Sequence, residues 1–405
     1  MKKSILFLII VLFAAQSLIA QRPECLKNVT YLLVSQDDVV AAKREMDKCF
    51  QGNESNADAC LVRANVLLKY YTYELNRKKK DQNYQLKMPD AIVVANESFY
   101  KAIELKPDIK TDFGLMDPKE GQLLSADLIR NMATDAMGKK KYSEAIKLLN
   151  LVIRSYRVDP KGNAFFLAYA FLDLSFCYKT MGDHVNYKKN LLDAAKLNMA
   201  VPEIYLGLYD IYKEEKDTVK CGEILTQARK VVPDSLSLLI KAYELGYFAM
   251  IGDTTKLKNA ALKLFGQNKN NVDVITLVVE YLIEDSKEYL LAEEMIKTGL
   301  EIAPNDFTLN HQLTKRYFYE AMDFENAMNE KVKLKKYLEA KPLREKSLEI
   351  LETAVVWAEK AYKINQDDQK HNLMYSQTLV RLALLPLPEE LQRKIDSYKQ
   401  QKIGE

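Results

Sequence analysis

A chain of 405 residues with 28% charged and 48% hydrophobic residues, but only 13 Gly and 11 Pro, is poor in turn formers, as helices joined by short connections are. Its 59 Lys and Arg stand against 56 Asp and Glu, which leaves no basic excess for nucleic-acid phosphates. Gly-x-Gly-x-x-Gly, Walker, His-Glu-x-x-His and Gly-x-Ser-x-Gly spacings do not occur, so no cofactor and no enzymatic activity are expected.

Residues 1–20 read as an export signal: Lys2 and Lys3, an apolar run over residues 5–15, then Ser17-Leu18-Ile19-Ala20 before Gln21. The run is shorter than the roughly 20 residues that span a bilayer. Cleavage after Ala20 is expected, giving a periplasmic or secreted chain without a transmembrane segment. A style rich in Lys, Asn, Tyr and Ile resembles that of exported Bacteroidota proteins.

Beyond the signal, one spacing recurs: a small residue with partners at +4 and +7 on one helical face, and often a proline at +12 where the helix must stop. Ala42, Met46 and Cys49 open the series. Leu61, Ala64, Asn65 and Leu68 start a helix whose partner, Ala95, Phe99, Ala102 and Pro107, follows an insertion over residues 76–89. That insertion carries Arg77-Lys78-Lys79-Lys80 and reads as a solvated loop or a basic contact loop. After an irregular stretch at 108–120, Ala133, Tyr142, Ala145, Leu149 and Val152 mark another pair. Phe171, Leu174, Ser175 and Tyr178, the turn Met181-Gly182-Asp183, and Tyr187, Leu191 and Ala194 form the next. The cleanest copy follows, Tyr205, Leu208, Tyr209 and Tyr212 with Cys221, Leu225, Ala228 and Pro233. Then come Ile251-Gly252-Asp253 with Leu257, Ala261 and Leu264, next Ala292, Ile296, Gly299 and Pro304, and finally Ala327 with Leu334. Ala354, Ala358 and Ala361 arrive too soon for another pair. A long helix over 343–365 is expected instead, with a closing hairpin at 371–385 and 388–401 whose polar last helix caps the stack.

This pattern resembles the tetratricopeptide repeat, a 34-residue unit reading W-x2-L-G-x2-Y on its first helix and A-x3-F…P on its second. Tyr205, Leu208, Tyr209 and Tyr212 occupy the first-helix positions, and Cys221, Leu225, Ala228 and Pro233 the second. The resemblance implies an all-α fold, a right-handed superhelical solenoid of antiparallel helix pairs. It spans residues 21–405, regular over about 165–340, degenerate over 21–160 and atypical over 341–405. It further implies that first helices line a concave groove, whose contact positions on the best units are Asp210, Lys213 and Glu214, then His311, Lys315 and Phe318. Such a groove suits an extended peptide or protein tail; the plainer alternative for each residue is a solvent-facing side chain.

Five cysteines follow the signal, Cys25, Cys49, Cys60, Cys177 and Cys221, with no Cys-x-x-Cys, and His184, His311 and His371 lie far apart. No metal site is expected. Cys177 and Cys221 fit small core positions in amphipathic helices. With Ala42 in the second helix of the terminal pair, antiparallel packing brings Cys25 towards Cys49. A Cys25–Cys49 disulfide, a Cys49–Cys60 disulfide and free thiols all remain open. Glu214-Glu215 and Glu293-Glu294 read as charged outer faces, since neighbours on a helix point about 100° apart. The expected function is an exported, non-catalytic scaffold for protein or peptide interaction in the cell envelope. The alternative is a carbohydrate or small-molecule binding component of an envelope uptake system, for which a single tryptophan, Trp357, offers little sugar stacking. An enzyme site in the irregular region 108–135 is the third possibility.

Overall fold

The computed structural model describes residues 23–111 and 114–384. The segment 1–20 read as an export signal and the expected last helix at 388–401 lie outside the described residues. Among them the chain is helical without a strand, seventeen α-helices in two compact units, residues 1–208 and 209–405.

The first unit holds α1 (Glu24–Thr30), α2 (Val39–Phe50), α3 (Ala57–Lys80), α4 (Ala91–Leu105), α5 (Pro118–Gly138), α6 (Tyr142–Tyr156), α7 (Ala164–Thr180) and α8 (His184–Ala195). α9 (Pro202–Glu214) contains the boundary. The second unit continues with α10 (Thr218–Val231), α11 (Leu238–Met250), α12 (Thr254–Gln267), α13 (Val272–Glu284), α14 (Tyr289–Ile302), α15 (Phe307–Lys333), α16 (Tyr337–Ile364) and α17 (Gln369–Leu384). From α1 to α8, and again from α10 to α17, each helix packs on the next.

The recurring spacing explains this stacking. Ala95, Phe99 and Ala102 on α4, Ala145, Leu149 and Val152 on α6, and Leu257, Ala261 and Leu264 on α12 are all buried. Small residues at these positions let neighbouring helices approach. Gly121 on α5 is an extreme case, because a Cβ there would lie 2.2 Å from Phe99 Cζ.

The turns inside pairs share one device. Lys140, Gly182, Lys216, Gly252, Lys287 and Lys335 all have positive φ, between 56° and 78°. The left-handed residue lets carbonyls at the helix end accept hydrogen bonds, as in Lys216 N to Lys213 O at 3.0 Å and Asp217 N to Tyr212 O at 2.9 Å. Asp183, Asp217 and Asp253 then cap the following helix by accepting from a backbone N–H. Gly252 (φ 70°) has nothing within 4 Å of a Cβ. Gly252→Ala is therefore expected to cost about 1 kcal/mol through backbone strain alone, and Lys216→Gly to have the opposite sign. Shifts of the urea midpoint in opposite directions check both.

Four departures from the sequence reading have physical causes. Arg77 to Lys80 form the last turn of α3, and the connection that follows is tied back by Glu74, which is 1% exposed. Its carboxylate accepts from the Tyr84 hydroxyl at 2.7 Å and from Lys87 N at 2.7 Å. The irregular stretch ends at Asp117, which caps α5. Asn65 holds it, accepting from Met116 N at 2.7 Å. α15 runs unbroken through the region read as a further repeat, so Ala327 is exposed and Leu334 is 65% exposed. The long helix expected over 343–365 is α16 and starts earlier, at Tyr337, with Pro342 inside it. Its buried Ser347, Leu351, Ala354, Ala358 and Ala361 alternate steps of four and three, which keeps one seam against α15.

Candidate binding face

Successive first helices are joined by polar contacts one repeat apart. In the second unit, Asp210 on α9 accepts from the Tyr243 hydroxyl on α11 at 3.3 Å. Lys315 on α15 pairs with Glu280 at 3.3 Å and with Glu284, both on α13. Its side chain is 11% exposed; burial pulls the ammonium pKa down, but the two carboxylates outweigh this and raise it. Asp210 and Lys315 thus hold repeat to repeat. Lys213 and Glu214 are exposed. Phe318 is 8% exposed and packs with Ala321, Ile350 and Leu351, so it belongs to the seam between α15 and α16 instead of a groove. The long α16, absent from an ordinary repeat, is what covers it.

His311 meets His371 on α17, Nδ1 to Nδ1 at 2.8 Å. His371 Nε2 lies 2.8 Å from Ala358 O. A carbonyl only accepts, so His371 carries its proton on Nε2, and its Nδ1 accepts from His311 Nδ1–H. Burial, then the neighbouring His371 and Lys315, draws His311 down to about 4 from the usual 6.5. A base depressed on folding contributes stability that is whole above 6.5 and declines as pH falls towards 4. Acidification from pH 7 to 4.5 is expected to remove up to about 3 kcal/mol through this group. Urea melts of wild type and His311→Gln at both pH values measure it, the variant showing the flatter profile.

In the first unit the first helices show something the repeat spacing did not reveal. The packing side of α7 is filled by Leu167, Ala170, Phe171 and Leu174, yet Phe165 is 50% exposed and Phe176 51%. Residues 165, 169, 173 and 176 share one helical stripe. The Phe165 and Tyr169 rings lie 4.9 Å apart, and Phe176 meets Tyr142 at 6.3 Å. Between them Asp173 pairs with Arg130 of α5 at 3.1 Å, and the guanidinium sits 5.6 Å from the Tyr169 ring. Burial raises the Asp173 pKa, opposed by Arg130. A helix apolar on its solvent side as well as its packing side has surface to offer a partner. The sequence signal was present in the run Phe165, Phe166, Tyr169, Phe171 and Phe176, but spacing alone did not separate core from surface aromatics.

Cys25 and Cys49 form a disulfide between α1 and α2, with an S–S distance of 1.99 Å. Cys60, Cys177 and Cys221 are buried thiols, and burial raises the pKa of each. Asn96 is fully buried, donating to Ser125 Oγ at 2.8 Å and Ser155 Oγ at 2.9 Å. Glu293 is not an outer-face residue: its side chain is 14% exposed and pairs with Arg316 at 3.1 Å. Trp357 packs on the second unit's core with Lys360 over its ring at 5.0 Å. Among the described residues no three His, Cys, Asp or Glu gather as metal ligands, and no helix is long and apolar enough to cross a membrane.

Paired helices, left-handed turns and polar ties between first helices define a tetratricopeptide-like helical repeat protein. Residues 191–345 match the family model described as ChAPs, Chs5p-Arf1p-binding proteins. No curated protein matches the chain. Similar solved structures include pilF of Pseudomonas aeruginosa (16% identity, 60% of this chain and 92% of that one, TM-score 0.29). A TPR repeats protein of Bacteroides fragilis NCTC 9343 is similar at 14% identity, over 63% of this chain and 98% of that one, with TM-score 0.26. Yeast Tom70 is similar at 12% identity, over 92% and 91%, with TM-score 0.34.

Proposed function

We propose that this chain is an exported, non-catalytic scaffold that binds an extended segment of a protein partner along the α5–α7 face of its first unit. The observation that carries the reading is the stripe of Phe165, Tyr169 and Phe176, in which Phe165 and Phe176 stand half in solvent and Tyr169 is partly buried between them, on a helix whose packing side is already filled. Aromatic anchors supply binding energy at low entropic cost, and the central Arg130–Asp173 pair gives the stripe polarity that orients a chain. The match of residues 191–345 to a family named for protein binding supports the same class of function. Export is supported by the signal pattern of residues 1–20 and by the Cys25–Cys49 disulfide, since such bonds persist in oxidising compartments.

The test compares tagged wild type with a Phe165→Ser/Phe176→Ser double variant in quantitative capture from envelope extracts. A partner recovered by wild type and depleted at least tenfold by the variant, with unchanged circular dichroism, supports the face. Equal recovery removes it. Peptide mapping without reduction on the exported protein addresses the compartment: a linked Cys25–Cys49 peptide is expected, and full alkylation of both cysteines would argue against export.

A further inference from the structure

The first unit carries a second feature, on the layer of second helices. A cleft of about 510 Å³ lies among α4, α6, α7 and α8. Its walls include Arg154 of α6, Arg157 just past the end of that helix, and Lys189 of α8. None of the three has a carboxylate within ion-pair distance among the described residues. The one carboxylate lining the cleft, Asp193, is held by Lys196 at 2.7 Å.

Arg154 is set in place from one side only. Its guanidinium lies 4.2 Å from the Tyr100 ring centroid, which fixes the plane without accepting a hydrogen bond. Nε and Nη2 are buried and have no hydrogen-bond partner among the described residues. A buried donor left unmade is costly, and a carboxylate is the acceptor whose two oxygens match that edge of a guanidinium. Arg157, which caps the C-terminal end of α6, lies 5.6 Å from the Phe171 ring. Lys189 is exposed on the next second helix. Cations on successive helices favour a ligand with more than one negative charge along its length.

We propose that this cleft binds an acidic peptide segment, one carboxylate seated against Arg154 and a second between Arg157 and Lys189. The site is separate from the aromatic stripe of α7 and does not depend on it. The full exported chain is titrated calorimetrically with an acetylated, amidated tetraglutamate peptide, its tetraglutamine counterpart and inorganic phosphate, at low and high salt. Tetraglutamate is expected to bind, tetraglutamine not to, and affinity to fall at least tenfold in high salt. Arg157→Gln and Lys189→Gln change exposed side chains and keep the fold; each is expected to weaken tetraglutamate binding about threefold to tenfold, and Arg154→Gln more. Phe165→Ser/Phe176→Ser should leave it unchanged, so this site and the α7 face fail independently. Absent tetraglutamate binding, equal binding of tetraglutamine, indifference to Arg157→Gln and Lys189→Gln, or phosphate binding as tightly as the peptide would each overturn the proposal.

Discussion

Arg316→Ala is expected to destabilise the second unit by about 3–5 kcal/mol, the cost of stripping one partner from a buried charge network. The Arg316 side chain is 4% exposed. It reaches Glu293 of α14 at 3.1 Å, Glu320 on its own helix at 2.6 Å and the Tyr289 carbonyl at 3.3 Å, and lies 4.1 Å from the Tyr317 ring. Tyr317 donates its hydroxyl to Glu293 at 2.9 Å, and Lys297 joins at 2.7 Å. Burial alone would push the Glu293 pKa up; the bonds from Lys297 and Tyr317, with the Arg316 charge, hold it below the usual 4.5. That contribution is present above pH 4.5 and lost as pH falls through the lowered value. Removing Arg316 takes the ion-pair partner from Glu320 and leaves the buried Glu293 with Lys297 and Tyr317 only, whereas Arg316→Met with Glu293→Gln removes both buried charges and is expected to recover most of the loss. Lys258→Ala breaks an exposed pair with Glu288 (2.8 Å, 41% and 35% exposed) and should cost less than about 1 kcal/mol. Helical repeats open piecewise. Hydrogen exchange of α14 and α15, read beside urea midpoints, is the decisive measurement, and protection unchanged in Arg316→Ala would show the network to be dispensable.

Gly121→Ala is expected to cost about 3 kcal/mol, although it adds a single methyl group. The new Cβ would stand 2.2 to 2.6 Å from three atoms of the Phe99 ring, and Phe99 is fully buried between α4 and α5. A close-packed interior cannot absorb this without moving a helix. Phe99→Leu shortens the obstructing side chain, so the Gly121→Ala/Phe99→Leu pair should be more stable than the two single losses added together. A double-mutant cycle in urea gives that coupling directly, and strict additivity would mean that the ring does not rest on Gly121. The comparison with Gly252→Ala separates two uses of glycine in one chain, contact in the first case and backbone conformation in the second.

Both sites bear on what was readable beforehand. The turns were legible: Met181-Gly182-Asp183 and Ile251-Gly252-Asp253 announce a left-handed residue followed by an N-cap. The equivalent turns at Lys140, Lys216, Lys287 and Lys335 were not, because lysine has no special preference for positive φ and adopts it here under the constraint of the pair. The packing triads were legible where small and large residues alternate, as at Cys221, Leu225 and Ala228. Ala327 carried the same spacing and is exposed, since a helical stripe can be written by residues that no neighbour covers. Of the groove positions read from the repeat register, Lys213 and Glu214 face solvent, Asp210 and Lys315 tie adjacent first helices, His311 pairs with His371, and Phe318 is packed.

The sequence by itself determined the helical class, the period of the pairs and most of their ends, because these depend on contacts three and four residues apart and on the conformation of single turn residues. Only the tertiary structure decided which charges are interior, as with Arg316 and Glu293, which buried polar groups meet, as with Asn96 and Ser155, and where α15 continues instead of turning. It also decided that Phe165 and Phe176 remain at the surface and that Arg154, Arg157 and Lys189 share a cleft. Those outcomes join residues up to 59 positions apart. They follow from how helices pack, and periodicity within a helix carries no information about the side chain that will stand opposite.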